Sequence, residues 1–414
     1  MINIKRLKVC RACGSRDLET ILTLGKSPLA NSFLKKNDLN KKELYVSLTL
    51  LFCKGCNLVQ LSHIVNPDIM FKNYLYVSST SNVFIKHFEF FAKDVKKSLK
   101  LKKDNLVVDI GSNDGILLKP FQKLGLRVLG VDPAKNVASI ANKNGIKTIC
   151  DYFNPKTAKF IVENYGKPKV ITAANVFAHT DNWEELTKAV KIALSDDGVF
   201  IIEAPYLVDF VEKNLFDTIY HEHLSYISIR PLMKYFDKNG MKIFDVQRVS
   251  SHGGSIRIFI KRSDAQFAIS PRVSNSVKLE LRQRLNRNLT LKDFAKRVEK
   301  NKVLLMHLLN KLKKENKRIV GYGAPAKGNT LLNYFGIDSK IMDFIVDDSP
   351  LKQNMYTPGT HIIIKSPNVL ESNGPDCIVI LAWNFADSII AKYKYLIKRG
   401  TTFIVPVPVP KIVS

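Results

Sequence analysis

The chain has 414 residues, of which 45% are hydrophobic, and this length and composition predict roughly two or three domains with substantial cores. Its 64 Lys and Arg against 37 Asp and Glu give a net charge of +27, but the basic residues are spread along the chain and do not alternate with aromatic residues, which argues against nucleic-acid binding. With neither a long apolar run nor a signal-like N-terminus, we expect a soluble, cytoplasmic protein that makes no membrane contact.

Four of the six cysteines form two C-x-x-C pairs in the N-terminal part of the chain. Cys10 and Cys13 make the first pair, and Cys53 and Cys56 make the second. Four thiolates at this spacing favour one tetrahedral zinc ion, provided that the segment between the pairs folds back, with a strand predicted over 44–52. Because no histidine or carboxylate lies within either pair, we expect the zinc to be structural. Disulfide bonds in a secreted domain are the alternative.

A segment dense in hydroxyl groups follows, reading YLYVSSTS over residues 74–81. Ser79 or Ser81 would be a suitable N-cap for the helix predicted next. The two tyrosines, Tyr74 and Tyr76, stand at alternate positions and could instead offer their phenols to one pocket.

The central part of the chain is organised around the stretch 105–118, which reads NLVVDIGSNDGILL. Its apolar start predicts a buried strand, and a polar turn then leads into a helix. Gly111 and Gly115 remove side chains where the backbone must approach a ligand, and Asp109 and Asp114 place carboxylates at the carboxyl end of the strand. The turn matches neither the dinucleotide fingerprint nor the phosphate loop, and its carboxylates would repel a pyrophosphate.

The next predicted strand, over 128–131, ends in Asp132, where a carboxylate can accept hydrogen bonds from a ribose diol. A nucleoside that lacks phosphates and is bound by carboxylates indicates S-adenosylmethionine. A plain strand-turn-helix corner without a ligand is the alternative.

Strands and helices alternate from about residue 104 to about residue 260, which predicts a doubly wound α/β domain. Its other strands are predicted over 170–173, 199–202, 242–249 and 255–259. His179 follows the third strand and Glu203 ends the fourth, so we expect both at the edge of the sheet where ligands bind.

The segment 216–226, FDTIYHEHLSY, concentrates histidines, carboxylates and tyrosines. His221 and His223 are two positions apart, whereas the zinc-protease pattern requires four, so this spacing argues against a metal site. An acid–base centre fits better: a histidine that titrates near neutral pH, a carboxylate that raises its basicity and a phenol that stabilises an oxyanion. Mutual hydrogen bonding inside a domain interface is the alternative.

The C-terminal part predicts charged helices over 275–317 and then half of a doubly wound sheet. Strands are predicted over 318–320, 344–346, 361–364 and 377–381. A glycine-rich turn after the first of them, GYGAPAKGN, places Lys327 at the start of a helix, where amide groups and one ammonium could bind a diphosphate. Asp347 and Asp348 at the next strand end resemble ribose ligands, so a second, redox cofactor is the alternative.

These motifs occur together and in order over nearly the whole chain: the cysteine pairs, PLAN at 28–31, the segment 74–81, DIGSNDG, ANVFAH, EAPY, FDTIYHEHLSY, SHGGSIR and GYGAPAKGN. The combination resembles the sugar C-methyltransferase family, which acts on dTDP-linked 4-keto deoxysugars. The resemblance implies a zinc-binding domain (1–75), a Rossmann-like S-adenosylmethionine-dependent methyltransferase domain (76–262), and a helical connector with a C-terminal Rossmann-like substrate-binding domain (263–414). The strongly basic surface departs from the family.

The resemblance also implies roles for individual residues. The catalytic groups are His223 as the base, Glu222 as its partner or as the alternative base, Tyr76 and Tyr220 near the developing enolate, and His179 near the sugar or the base. The cofactor-binding residues are Asp109, Gly111, Asn113, Asp114, Gly115, Asp132 and Asn175. The substrate-binding residues are Ser78, Ser79, His252, Gly253, Gly254, Ser255, Arg257, Lys327 and Asn329.

The alternative functions are methyl transfer to oxygen, to nitrogen or to RNA, and a non-catalytic binding protein that keeps a methyltransferase fold. We expect a nucleotide-sugar substrate held between domains, and a monomer or a weakly associating homo-oligomer.

Overall fold

A computed structural model describes residues 4–72, 74, 78–80, 82–372 and 374–414. These residues form three units that follow one another along the chain, each built around its own sheet. A search of the described helices for one of sufficient length and hydropathy to cross a bilayer finds no such helix.

The N-terminal unit is a small antiparallel sheet with the four cysteines at one end. Its elements are β1 (Ile4–Arg6), β2 (Leu18–Pro28), β3 (Tyr45–Cys53), β4 (Val59–Leu61), β5 (His63–Val65) and α1 (Pro67–Phe71). β2 pairs with β3 and β3 with β4, and the short strands β1 and β5 form a separate antiparallel pair. The strand predicted over 44–52 corresponds to β3. β2 has no predicted counterpart because two register shifts interrupt its alternating pattern.

The central unit is a seven-stranded sheet covered by helices. Its elements are α2 (Asn82–Ser98), β6 (Leu106–Ile110), α3 (Leu118–Lys123), β7 (Arg127–Val131), α4 (Lys135–Lys143), β8 (Thr148–Ile149), α5 (Pro155–Tyr165), β9 (Val170–Ala174), α6 (Trp183–Ala193), β10 (Val199–Pro205), α7 (Leu207–Glu212), β11 (Ser225–Tyr226), α8 (Ile229–Lys238), β12 (Met241–Val249) and β13 (Ser255–Arg262). The strand order is β12-β13-β10-β9-β6-β7-β8. The doubly wound α/β fold predicted for this unit is confirmed.

The order of the strands locates the ligand-binding edge of this sheet. β6 pairs in parallel with β7 on one side and with β9 on the other. The chain therefore leaves β6 in one direction and returns on its opposite side, and the crevice at the carboxyl ends of β6 and β9 is the topological switch point. β6 is buried along its whole length, as expected for a strand with helices on both faces.

β11 lies in the sequence of the central unit but in the sheet of the N-terminal unit. It pairs antiparallel with β4, with Ser225 opposite Gln60 and Tyr226 opposite Val59. The four-stranded sheet is therefore completed by the last two residues of the histidine-rich segment 216–226.

The C-terminal unit is a six-stranded sheet reached through two long helices. Its elements are α9 (Pro271–Arg282), α10 (Asn288–Lys314), β14 (Ile319–Tyr322), α11 (Ala326–Phe335), β15 (Ile345–Val346), β16 (Ile364–Lys365), α12 (Val369–Ser372), β17 (Cys377–Ile380), α13 (Ala386–Lys392), α14 (Lys394–Ile397), β18 (Thr402–Val405) and β19 (Lys411–Val413). The order is β16-β15-β14-β17-β18-β19, and only the pairing of β19 is antiparallel. The Rossmann-like fold predicted for this unit is confirmed, and its switch point lies between β14 and β17.

Candidate active site

A cavity of about 820 Å³ lies where the three units meet. The carboxyl ends of β6 and β9 contribute Asp109 and Asn175 to its wall, and the loops after β14 and β17 contribute Lys327 and Asn384. The N-terminal unit contributes Asn31. The switch points of both sheets therefore open onto the same space, whose volume lies in the range of small-molecule sites.

The turn after β6 is shaped for close approach of a ligand. Gly111 has φ +64°, and a Cβ there would lie 2.5 Å from a methyl group of Val176, so only glycine fits. Asp132 follows β7 and accepts hydrogen bonds from the backbone N–H groups of Asn113 and Ala134, both at 2.8 Å. Burial raises the pKa of Asp132. These contacts fix a carboxylate in the cavity wall, where it can accept hydrogen bonds from a diol.

Asp109 is the last residue but one of β6 and also lines this cavity. It is buried, and its carboxylate accepts a 2.6 Å hydrogen bond from the hydroxyl of Thr172. Burial, reinforced by the charge of Asp132, raises the pKa of Asp109 to about 7. Burial disfavours the ionised form of such a carboxyl group, and a nearby positive charge favours it. A cationic ligand would therefore stabilise the Asp109 carboxylate.

Two residues predicted to bind the cofactor lie outside the described lining of the cavity. Asp114 instead accepts a 3.1 Å hydrogen bond from the backbone N–H of Ser79. Gly115 packs against Ile146, within 3.0 Å of where its Cβ would be. Asn113, which does line the cavity, accepts a hydrogen bond from the N–H of Ser78 at 3.1 Å. The turn therefore binds the 78–79 segment with Asn113 and Asp114, and it lines the cavity with Gly111, Ser112 and Asn113.

His223 lines the cavity together with Tyr220 and His179. Its Nδ1 lies 2.7 Å from the carbonyl oxygen of Thr218, so Nδ1 carries the proton and Nε2 is the acceptor nitrogen. The rings of Tyr220 and His179 lie 4.0 and 5.0 Å from the His223 ring, measured between centroids. Burial lowers the pKa of His223 to about 4, with the hydrogen bond to Thr218 opposing the shift and the charge of Lys327 adding to it. The imidazole is therefore neutral at physiological pH and able to accept a proton.

The structure places Glu222 behind the cavity wall, which corrects its expected pairing with His223. Its carboxylate accepts hydrogen bonds from the side-chain amide of Asn31, at 2.6 Å, and from the phenol of Tyr74, at 2.9 Å. Burial raises its pKa. The partner that orients His223 is the carbonyl of Thr218. Tyr76, predicted to act near the enolate, lies outside the described residues.

Lys327 brings a positive charge to the opposite wall of the cavity. Its ammonium donates to the side-chain oxygen of Asn384 at 2.6 Å and lies 4.4 Å from the centre of the Trp383 ring. The indole N–H of Trp383 donates to the buried carboxylate of Asp217. Burial lowers the pKa of Lys327 to about 8, and Asp217 opposes this shift. The ammonium is thus held by a neutral amide and an aromatic face, which leaves it suited to an anionic ligand.

Other residues predicted to bind substrate are structural in this fold. Arg257 is fully buried, where it donates to Glu203 at 2.8 and 3.0 Å and stacks 3.8 Å above Phe91. Asn329 is buried and donates to the carbonyl of Ala30 at 2.7 Å. The assignment of both side chains to the substrate is corrected, because neither lies in the described lining of the cavity.

The glycine motif before β13 also lies behind the cavity. Gly253 packs against Trp383, Gly254 packs against Asp209, and the hydroxyl of Ser255 donates to the carbonyl of Ser251. The side chain of His252 is outside the described residues. Ser79 is exposed and absent from the described lining, whereas Ser78 lines the cavity.

Sequence reasoning missed several residues of the site. Asn31 stands in a recognised motif but was given no role, and Tyr74 was considered only as a phenol that could face a pocket; both line the cavity and donate to Glu222. Trp383 and Asn384, which hold Lys327, belong to no motif. Their position after β17, at a switch point, is the signal that could have indicated them.

The four cysteines converge at one end of the N-terminal sheet. Their sulfur atoms all lie within 4.8 Å of one another, with Cys10 and Cys56 at 3.5 Å and Cys13 and Cys53 at 3.6 Å. A tetrahedral zinc ion with Zn–S bonds of about 2.3 Å requires S···S distances of about 3.8 Å, so the set fits. The cysteines are free, which excludes the disulfide alternative in this structure. Four thiolates complete the coordination of zinc and leave no position for a substrate.

Family comparisons match three parts of the chain. These are a zinc binding domain at residues 10–71, a methyltransferase domain at 84–246 and a C-methyltransferase C-terminal domain at 250–408. The chain is also 34% identical over 411 residues to the C-methyltransferase NovU of Streptomyces niveus, which covers 99% of this chain and 98% of that protein.

Other similarities are confined to part of the chain. The ubiquinone biosynthesis O-methyltransferase of Methylobacterium sp. strain 4-46 is 21% identical over 162 residues, 35% of this chain and 63% of that protein. The crystal structure of an S-adenosylmethionine-dependent methyltransferase from Anabaena variabilis is 16% identical and covers 47% of this chain and 98% of that chain, with a TM-score of 0.35.

The similarity to a C-methyltransferase thus extends over the full length, and all three of its domains are present. The chain belongs to the C-methyltransferase family, and it is an S-adenosylmethionine-dependent enzyme with a structural zinc site in its N-terminal domain.

Proposed function

We propose that the enzyme methylates a ring carbon next to the ketone of a nucleotide-linked 4-keto deoxysugar, with dTDP as the nucleotide. The observation that carries this proposal is the composition of the shared cavity. Carboxylates at one switch point suit the cationic cofactor, Lys327 at the other suits the diphosphate, and a neutral histidine lines the same cavity. We also propose that the enzyme is located in the cytoplasm.

Methylation of such a carbon requires a base and a group that stabilises the enolate. A ketone makes the neighbouring C–H acidic, but the carbanion forms only when its charge moves onto a stabilised oxygen. His223 takes the proton on Nε2, which Thr218 keeps available by accepting from Nδ1. Because the pKa of His223 is low, stabilisation of the oxygen has to contribute strongly. Tyr220, 4.0 Å from the histidine ring, is placed to donate to that oxygen.

The carbon then attacks the methyl group. Bound S-adenosylmethionine supplies an electrophilic methyl, the bond from carbon to methyl forms as the methyl leaves sulfur, and the ketone is restored. The proton held by His223 passes to solvent. His179, between the His223 ring and the Phe71 ring, positions the sugar. Zinc takes no part, since its four thiolates leave no open position.

Asp109 should make cofactor binding dependent on pH. Its pKa of about 7 means that acidification protonates it in the free enzyme, whereas the cationic cofactor prefers the ionised form. Affinity for S-adenosylmethionine should therefore fall as pH decreases through 7, by about tenfold per pH unit well below that value. Calorimetric titrations from about pH 8 to about pH 5 measure this. In Asp109→Asn the affinity should be low and independent of pH; a wild-type affinity that is flat across this range contradicts the role.

Lys327 should contribute to binding of the nucleotide sugar and not of the cofactor. Lys327→Ala is expected to weaken nucleotide-sugar binding by about 1 to 3 kcal/mol, the scale of a lost charge-assisted hydrogen bond. Affinity in the wild type should also fall as pH rises through about 8, because the ammonium then loses its proton. Separate titrations of the two ligands measure both effects.

A suitable control is Lys340→Ala, which removes an exposed lysine from the same unit. It should leave both affinities unchanged. If Lys327→Ala instead weakens cofactor binding and spares the nucleotide sugar, the division of labour between the two sheets is wrong.

The substrate class is tested by mass spectrometry of methyl transfer. The enzyme is incubated with labelled S-adenosylmethionine and with dTDP-, UDP- and GDP-linked 4-keto deoxysugars, each paired with its 4-hydroxy counterpart. We expect transfer to the dTDP-linked ketone and none to its alcohol. Equal transfer to ketone and alcohol would indicate O-methylation, and transfer to none of them would reject the substrate class.

A further inference from the structure

We propose that Arg11, inside the first cysteine pair, is a positioning residue that holds His223 in the cavity. The inference rests on the proposed role of His223. It assigns a function in the reaction to the zinc-binding unit, whose metal has no open position.

The segment around His223 is attached to the N-terminal unit on both sides. Before it, the Nε2 of His221 donates to the carbonyl of Val46 in β3, at 3.0 Å. After it, the carbonyl of Leu224 accepts from the N–H of Leu61 at 2.9 Å, and β11 continues as the fourth strand of the sheet. His223 therefore lies in a short segment, residues 221–224, which we call the bridge. Both ends of the bridge are hydrogen-bonded to the zinc-binding unit.

Arg11 reaches this bridge directly. Its Nη1 donates to the carbonyl oxygens of Leu224, at 3.0 Å, and Leu61, at 3.2 Å, and its Nε pairs with Asp181 at 3.2 Å. The Arg11 side chain is only 1% exposed. One guanidinium thus joins the residue next to His223 to Asp181, which lines the cavity.

The backbone of Arg11 is held in place by the metal-binding turn. Its neighbour Cys10 accepts a 2.9 Å hydrogen bond from the N–H of Gly14, and the backbone N–H of Arg11 donates to the buried side chain of Gln60 at 3.2 Å. Gln60 lies in β4, opposite Ser225. The turn around the zinc-binding cysteines therefore fixes the backbone position of Arg11 and the orientation of its side chain. The side chain in turn holds the carbonyl of Leu224 in place.

A planar guanidinium suits this role better than other side chains. Its fork offers several N–H groups in fixed directions and can bind two carbonyls and a carboxylate at once, which a lysine ammonium on a flexible stem cannot do in the same geometry. Removing it leaves buried carbonyl oxygens without one of their donors. Because small displacements of a catalytic group lower the rate steeply, the loss should appear in turnover.

The test compares Arg11→Met, Arg11→Lys and the control Arg16→Met, which changes an exposed arginine of the same unit. Two measurements are made on the zinc-loaded proteins. Hydrogen–deuterium exchange by mass spectrometry follows the peptide 218–226. Exchange of the substrate proton next to the ketone with deuterated water, in the presence of S-adenosylhomocysteine, follows the base step alone.

For Arg11→Met we expect faster amide exchange in 218–226 and a kcat and substrate-proton exchange reduced by about 10- to 100-fold, with zinc content and cofactor affinity unchanged. Arg11→Lys should show a smaller loss, and Arg16→Met none. If Arg11→Met fails to retain zinc, the proposal is tested by comparing Arg11→Lys with the wild type. Wild-type amide exchange and turnover in the zinc-loaded variants overturn the proposal. If the wild type exchanges no substrate proton, the proposed function is wrong. Amide exchange in 218–226 then still shows whether Arg11 holds this segment in place.

Discussion

Replacement of His223 with Ala or Asn should lower kcat by about 10²- to 10⁴-fold, the range over which a positioned general base contributes. Affinity for S-adenosylmethionine should remain nearly unchanged, because the cavity residues that we assign to the cofactor, Asp109, Asp132 and Asn175, lie in β6 or directly after β7 and β9. Rates under single-turnover conditions and separate calorimetry on the cofactor measure the two effects. Retained activity in either variant would remove His223 from the mechanism.

Glu222→Gln is the matched control, because it removes the charge and keeps one acceptor oxygen, while the hydroxyl of Tyr74 can accept from the new amide N–H. It should retain most of the turnover. A loss equal to that of His223→Ala would make Glu222 the base. In the wild type at saturating S-adenosylmethionine, where the effect of Asp109 on cofactor binding is suppressed, kcat/KM for the sugar should fall on the acid side only as pH approaches about 4, since protonation of His223 abolishes the acceptor at Nε2. An acid limb at the ordinary histidine value would show that the base is a less buried group.

Replacement of Cys53 with Ser should remove zinc, unfold the N-terminal unit and abolish turnover. Structural zinc contributes an apparent binding free energy of about 10 to 16 kcal/mol in zinc-finger peptides, which equals or exceeds the whole stability of a typical domain. The loss reaches the active site because β11 and the bridge that carries His223 belong to the same sheet. Metal content, thermal unfolding and turnover are measured together.

Cys150→Ser provides the control for this substitution. Cys150 is exposed and lies outside the four-cysteine site, so its change should leave zinc content and stability as in the wild type. Unchanged stability and turnover of the wild type after chelation of the metal would contradict a structural role for zinc.

The sequence was informative wherever local chemistry determines structure. The strands β6, β7, β9 and β10 of the central sheet were predicted because parallel strands covered on both faces are apolar runs, as β6 is, whereas the two-residue strand β8 was not predicted. The zinc site was predicted because C-x-x-C pairs impose their own turns. Asp132 was placed correctly in the cavity wall because carboxyl ends of parallel strands share one edge of a sheet.

Sequence reasoning was wrong where the direction of a side chain decides its role. Arg257 follows two glycines and was expected to bind substrate. Side chains alternate between the two faces of a strand, and Arg257 lies on a buried face, where it donates to Glu203. Glu222 stands beside His223 in sequence, and its carboxylate points to Asn31 instead. In both cases the partner is distant along the chain, so local spacing carries no information about it.

The pairing of β11 with β4 is likewise a contact between distant residues, and it shows why the domain boundaries remain a proposal. We keep the predicted division after residues 75 and 262, with the qualification that Ser225–Tyr226 complete the N-terminal sheet. A two-residue strand has too little sequence for any periodicity to indicate it.

The central claim is that the enzyme forms a carbon–carbon bond next to a ketone. The most direct measurement is the NMR spectrum of the product made from ¹³C-methyl S-adenosylmethionine and a dTDP-linked 4-keto deoxysugar. We predict a labelled methyl group that couples to a ring carbon adjacent to the carbonyl. A labelled methyl group bonded to oxygen, or to a ring carbon remote from the carbonyl, would contradict the account.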